Sequence, residues 1–139
     1  MQLAKALEER GVLRLVPPVS HQECLQEMAR SNVLLILQPD YPLQVPAKIY
    51  EYIVAGRPLL VIGGEGATAN LVQRHRLGRC CKNAVQEIKR TLMSILSPES
   101  ALLAPPAETE QFSYRALTGR LAELFDRVCE ERQGIRSKT

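Results

Sequence analysis

The sequence predicts an α/β fold, a Rossmann-like parallel sheet flanked by helices, on three observations. Two continuous apolar runs, Val33-Leu-Leu-Ile-Leu37 and Pro58-Leu-Leu-Val-Ile62, have strand length and the unbroken hydrophobicity of strands covered on both faces. Segments with helical spacing precede, separate and follow them, the alternation from which parallel sheets with right-handed crossovers are built. The 139 residues, 45% of them hydrophobic, suffice for one domain of ordinary size.

In chain order, Leu3 to Glu9 reads as a short amphipathic helix closed by Gly11, and Val12 to Val16 as a strand broken by Pro17 and Pro18. Ser20 and Glu23 form a capping box, in which hydroxyl and carboxylate each satisfy an orphan amide, so a helix should run from there to about Arg30. The strand Val33 to Leu37 and a loop over Pro39 to Gln44 come next. Pro46 suits the first turn of a helix that Gly56 terminates, giving Pro46 to Ala55. The strand ending at Ile62 leads into the loop Gly63-Gly64-Glu65-Gly66, a helix from Thr68 to His75 ending near Gly78, and a short strand over Arg79 to Cys81. Val85 to Leu96 is helical by the spacing of Val85, Ile88, Leu92 and Ile95, Ser97 to Thr109 reads as a crossing loop, and Phe112 to Glu131 as the last helix. The domain is drawn over 1–132, with a disordered basic tail over 133–139.

Composition excludes several functional classes. A net charge of +3 without a clustered basic patch gives no case for a nucleic-acid partner. No apolar run approaches the ~20 residues that a membrane-spanning helix needs, and the amino-terminal residues lack an apolar signal core. Cys24, Cys80, Cys81 and Cys129 lack the spacing of a zinc site or a redox pair, so neither a metal nor a cofactor is expected, and all four read as reduced thiols of a cytoplasmic protein. On a strand, Cys80 and Cys81 point to opposite faces, so at least one is a small core residue. His75 reads as a solvated helix-end residue, and Tyr50 and Tyr52 as one surface and one core tyrosine.

In a parallel sheet, binding groups gather beyond the carboxyl ends of the strands, here Pro17 to Ser20, Gln38 to Lys48 and Gly63 to Thr68. The most informative segment is Val45-Pro-Ala-Lys-Ile-Tyr-Glu-Tyr-Ile-Val-Ala-Gly-Arg-Pro-Leu-Leu. Amides at the start of a helix at Pro46 and Ala47 attract an anion such as a pyrophosphate, and Lys48 adds a charge to it. Glu51, three residues on, lies on roughly the same face, where a carboxylate accepts hydrogen bonds from ribose hydroxyls. Spacing alone favours the plainer reading, a surface ion pair between Lys48 and Glu51. Gly64-x-Gly66 imitates a dinucleotide fingerprint but follows the wrong strand and lacks the acid expected about 20 residues later. It reads either as a plain loop or as a flexible turn that a ligand approaches closely.

The run Pro-x-Lys-x-x-Glu-Tyr-x-x-x-Gly-Arg-Pro-Leu-Leu resembles the donor-binding signature of retaining GT-B glycosyltransferases of the family 4 type. Val19-Ser20-His21-Gln22-Glu23, Ser31 to Leu35, Asn70-Leu71-Val72, Leu77-Gly78 and the segment from Phe112 to Phe125 are similar to further parts of that family's carboxy-terminal domain. The resemblance implies a partial GT-B carboxy-terminal domain that binds a nucleoside-diphosphate sugar. Glu51 then holds the ribose, Val19 and Ser20 lie beside the base, Pro46, Ala47 and Lys48 face the diphosphate, and His21, Gly64 and Gly66 are further candidates. It also implies a partner, the amino-terminal domain that carries the acceptor site, and a location in the cytoplasm or at the inner membrane face. The family's second glutamate is replaced by Leu43, with Asp40 and Gln44 as the polar residues nearby, and the expected opening strand, glycine-rich turn, helix and second strand are not in this sequence. A sheet without those elements exposes an edge, through which a homo-oligomer is expected. The alternative is a non-catalytic Rossmann-like binding or assembly module.

Overall fold

A computed structural model describes residues 2–38, 41–97 and 109–136, with backbone alone at residue 2 and over 132–136. It is α/β, with the parallel open sheet and flanking helices that the apolar runs demand. The elements are α1 (Gln2–Glu9), α2 (His21–Arg30), β1 (Leu34–Leu37), α3 (Lys48–Ala55), β2 (Leu59–Ile62), α4 (Ala67–Arg74), β3 (Gly78–Cys81), α5 (Val85–Leu96), a 3-10 turn (Glu110–Phe112) and α6 (Tyr114–Arg136). The strands lie in the order β1-β2-β3, with Leu34 beside Leu59 and Leu59 beside Gly78.

Two cores sandwich the sheet. On one face Leu34, Ile36, Leu59 and Val61 meet Met28 of α2, Ile49 and Ile53 of α3 and Val72 of α4. On the other, Leu60, Ile62 and Cys81 meet Ile95 of α5, with Val33, Ile88 and Leu92 at the margin. Cys80 packs against the first core and Cys81 belongs to the second, the opposite-face placement expected of neighbours on a strand. All four cysteines are free thiols. Burial holds the Cys80 thiol up to about 11 and raises Cys81 as well.

Several boundaries follow the sequence closely. The Ser20 capping box forms, with Ser20 N donating to Glu23 Oε2 at 2.9 Å and Glu23 N to Ser20 Oγ at 3.3 Å. The hydroxyl and amide of Ser20 hold the Glu23 carboxyl below its usual range. Gly56 ends α3 with φ +65°, and α5 has the expected limits.

Three expectations are corrected. Val12–Val16 forms no strand: Val12 and Leu13 donate their amides back to Leu7 O, and Val12, Leu15 and Val16 stay exposed. No described strand lies beside this segment to supply a ladder, and an unpaired strand is not stable in water. β1 is buried on one face alone, because α5 lies over β3 and β2 and leaves Leu35 47% and Leu37 67% exposed; β2 alone is covered on both faces. Finally, α3 begins at Lys48 rather than Pro46, with Ala47 as its cap and Pro46 O accepting from Ile49 N at 3.0 Å in a tight entry turn.

The last helix continues through Arg136, past the boundary drawn at 132. Asp40, most of the expected crossing loop (98–108) and residues 137–139 of the tail lie outside the described residues. Among the described residues no helix is long and apolar enough to cross a membrane.

Candidate functional site

The loop that leads from β1 to α3 is fastened from below. Gln38, buried at the carboxyl end of β1, donates from Nε2 to Tyr41 O at 3.0 Å and Gln44 O at 2.6 Å. Its Oε1 lies 2.6 Å from the hydroxyl of buried Thr68, which also sits 2.8 Å from Gln44 O and has one proton to share between the two acceptors. Ala67 N donates to Pro42 O at 2.6 Å. Strand β1 and the start of α4 thus grip the loop from two sides and fix where α3 begins. Gln38 and Thr68 fall within the stretches beyond the strand ends where binding groups were expected, but their contact with each other, 30 residues apart, has no local sign in the sequence.

Along α3 runs an open cleft of about 490 Å³, within the range of small-molecule sites. Ala47, Lys48, Tyr50, Glu51 and Val54 form one wall, Leu25 of α2 and the segment Phe112, Ser113, Tyr114 and Leu117 the others. Among the described residues Lys48 and Glu51 form no ion pair, the pairs present being Arg14–Glu27 and Arg30–Glu27. Cation and carboxylate therefore face the same space with their charges unspent. At the helix start, Ile49 N and Tyr50 N are taken by Pro46 O and Ala47 O, so the amides of Ala47 and Lys48 are those without a backbone acceptor among the described residues.

The distal wall is set by an aromatic contact. Phe112 lies edge-on to His75, with centroids 4.9 Å apart and planes at 86°, and 6.1 Å from the ring of Tyr50. His75, expected to be solvated, is instead half-buried as the seat of this contact. Phe112 ties the carboxy-terminal segment to Tyr50 in the first turn of α3 and to His75 at the end of α4, and Ser113, Tyr114 and Leu117 line the same cleft as Lys48 and Glu51. The sequence carried no local sign of this, since the partners lie far apart along the chain. Tyr50 is 38% exposed and Tyr52 packs on the core, the division expected for the pair.

Of the residues singled out in the sequence, Ala47, Lys48 and Glu51 thus come together in one cleft. Pro46 stands just before it as acceptor of the entry turn. Val19, Ser20 and His21 are exposed at the start of α2, which packs against α3, but they are not in the cleft wall, and the Ser20 hydroxyl is committed to its cap. Gly64 and Gly66 lie elsewhere, Gly64 on a second hollow of about 210 Å³ beside Glu65, Asn70, Lys82 and Glu87. Gly63 N and Gly64 N both donate to Cys81 O, at 3.1 and 3.3 Å, so these amides do not serve a ligand. Gly63 and Gly66 answer to packing, since a Cβ on Gly63 would strike the backbone of Gln38 and one on Gly66 would meet Pro42 O at 2.6 Å, whereas Gly64 has open space around it and a φ of +83°. Among the described residues no three His, Cys, Asp or Glu side chains are grouped to hold a metal.

Comparison with protein-family models, with curated proteins and with solved structures finds no match to this chain.

Proposed function

We propose that the chain is the donor-binding part of a GT-B glycosyltransferase, holding a nucleoside-diphosphate sugar along α3. The observation that carries this reading is that Lys48 and Glu51, three residues apart, line one cleft of about 490 Å³ without pairing with each other. A surface pair would neutralise itself; unspent charges of opposite sign on one wall suit a ligand with an anionic end and hydroxyls next to it. Lys48 and the amides of Ala47 and Lys48 face the diphosphate, and Glu51 accepts from the ribose hydroxyls. The resemblance places Val19 and Ser20, just before α2, beside the base.

In the complete enzyme, the bond from the anomeric carbon to the diphosphate oxygen breaks, a bond to the acceptor oxygen forms, and the proton of the acceptor hydroxyl passes to the departing diphosphate or to water. The charge left on the diphosphate is stabilised by Lys48 and the helix start. The acceptor is held by a separate amino-terminal domain, and the enzyme works in the cytoplasm or at the inner membrane face. The rival reading, a non-catalytic assembly module, draws on the exposed Leu35 and Leu37 of edge strand β1.

Calorimetric titration with uridine and guanosine diphosphates separates the two. The donor reading expects binding that Glu51→Gln weakens by roughly 1.5–3 kcal/mol, the scale of a hydrogen bond to a charged group, with folding unchanged. A Glu51→Gln dissociation constant equal to that of the parent protein would remove the carboxylate from its role.

A further inference from the structure

The Lys48–Glu51 cleft is lined by more than its two charges. Lys48, Glu51 and Val54 follow at three-residue intervals on α3, each step rising about 4.5 Å along the helix axis. The first two are charged and the third is apolar, and the same cleft is lined by further apolar side chains, Leu25 of α2 and Tyr114 and Leu117 of α6. Val54 is 79% and Tyr114 92% exposed, so the apolar part of the lining is open to a ligand. A slot with aliphatic walls and an aromatic ring at its mouth suits a flat heteroaromatic group, which presents apolar faces and a polar edge. Ser113 supplies a partner for that edge. Its Oγ accepts from Ala116 N at 3.2 Å, which leaves the hydroxyl proton to donate to a ring carbonyl or nitrogen.

We propose that this slot seats the nucleobase, stacked on Tyr114 between Val54 and Leu117, so that diphosphate, ribose and base lie in order along α3. The proposal rests on the donor reading for the identity of the ligand. It adds the start of α6 to the binding site and moves the base away from Val19, which is exposed and outside the cleft wall.

The test uses the full chain, uridine and guanosine diphosphates, and inorganic pyrophosphate as a ligand without base or ribose. Tyr114 is so exposed that Tyr114→Ala leaves the fold intact, which circular dichroism checks. The expected result is that Tyr114→Ala binds the tighter nucleotide roughly five- to a hundredfold more weakly, the range for loss of one base–aromatic stack, and binds pyrophosphate within about twofold of the parent protein. Magnetisation transfer from the base protons should reach the methyls of Val54 and Leu117. Transfer to the Val19 methyls alone, or a Tyr114→Ala variant that binds the nucleotide as the parent does while Lys48→Ala does not, overturns the base slot and leaves the donor reading in place. No binding of either nucleotide at millimolar concentration overturns both.

Discussion

Gln38 and Thr68 hold the loop that leads into α3, through Tyr41 O and Gln44 O, without touching the cleft themselves. Thr68→Val keeps the shape and removes the hydroxyl, leaving Gln38 Oε1 buried without its donor, a loss on the order of 1–3 kcal/mol. Urea denaturation should show that cost, and nucleotide affinity should fall with it, since the loop before Lys48 loses an anchor. The pair is 30 residues apart in sequence, and nothing local signals it. The Ser20–Glu23 capping box, by contrast, spans a single helical turn and could be read directly. Cys80 gives a second test at this scale. Burial moves its thiol from 9.0 to about 11, so the folded state holds that proton more tightly than the unfolded chain. The stability it contributes is complete below about pH 9 and is lost as pH rises through about 11, and the urea midpoint should decline over that window. At pH 8 the raised pKa leaves much less thiolate, so Cys80 should resist alkylation in the folded protein and lose that resistance in urea.

Among the elements, the helices and the two apolar strands were legible because their periodicity and punctuation are local. Val12–Val16 was not, because an apolar run becomes a strand only beside a partner, and none of the described strands adjoins it. The far wall of the cleft was equally hidden: Phe112 reaches it through rings on α3 and at the end of α4, contacts that no spacing rule announces. The β2–β3 pairing offers the sharpest element-scale prediction. A Cβ at Gly78 would fall onto the backbone of Leu59, its partner in the ladder, and backbone has no flexible end to yield. Gly78→Ala should therefore cost at least the roughly 1–3 kcal/mol of an overpacked core, measured as a lower urea midpoint. A midpoint equal to that of the parent would mean that β3 shifts freely, against the register described.

For the molecule as a whole, the open flank of the sheet and the cleft on α3 make separate demands. Strand β1 is an edge with Leu35 and Leu37 in solvent, and unpaired apolar edges recruit other chains. A homo-oligomer built on that edge is therefore expected in light scattering at micromolar concentration, and Leu37→Lys should shift it to monomer without loss of nucleotide binding; a monomeric parent protein would show that the edge is tolerated uncovered. The ligand face is a different matter. Its signature, Lys48 and Glu51 one helical step apart, was legible because both sit on one short helix, whereas the base side depends on chain folded back from residues 112–117 and was not. Everything functional proposed for this chain rests on Lys48 meeting a diphosphate. The most direct measurement is calorimetry of the parent protein and Lys48→Ala with a nucleoside diphosphate and with the corresponding nucleoside. The account predicts that Lys48→Ala weakens the diphosphate by roughly tenfold or more, as loss of a charged contact should, and changes the nucleoside little; equal losses for both ligands, or no heat from the diphosphate at millimolar concentration, would contradict it.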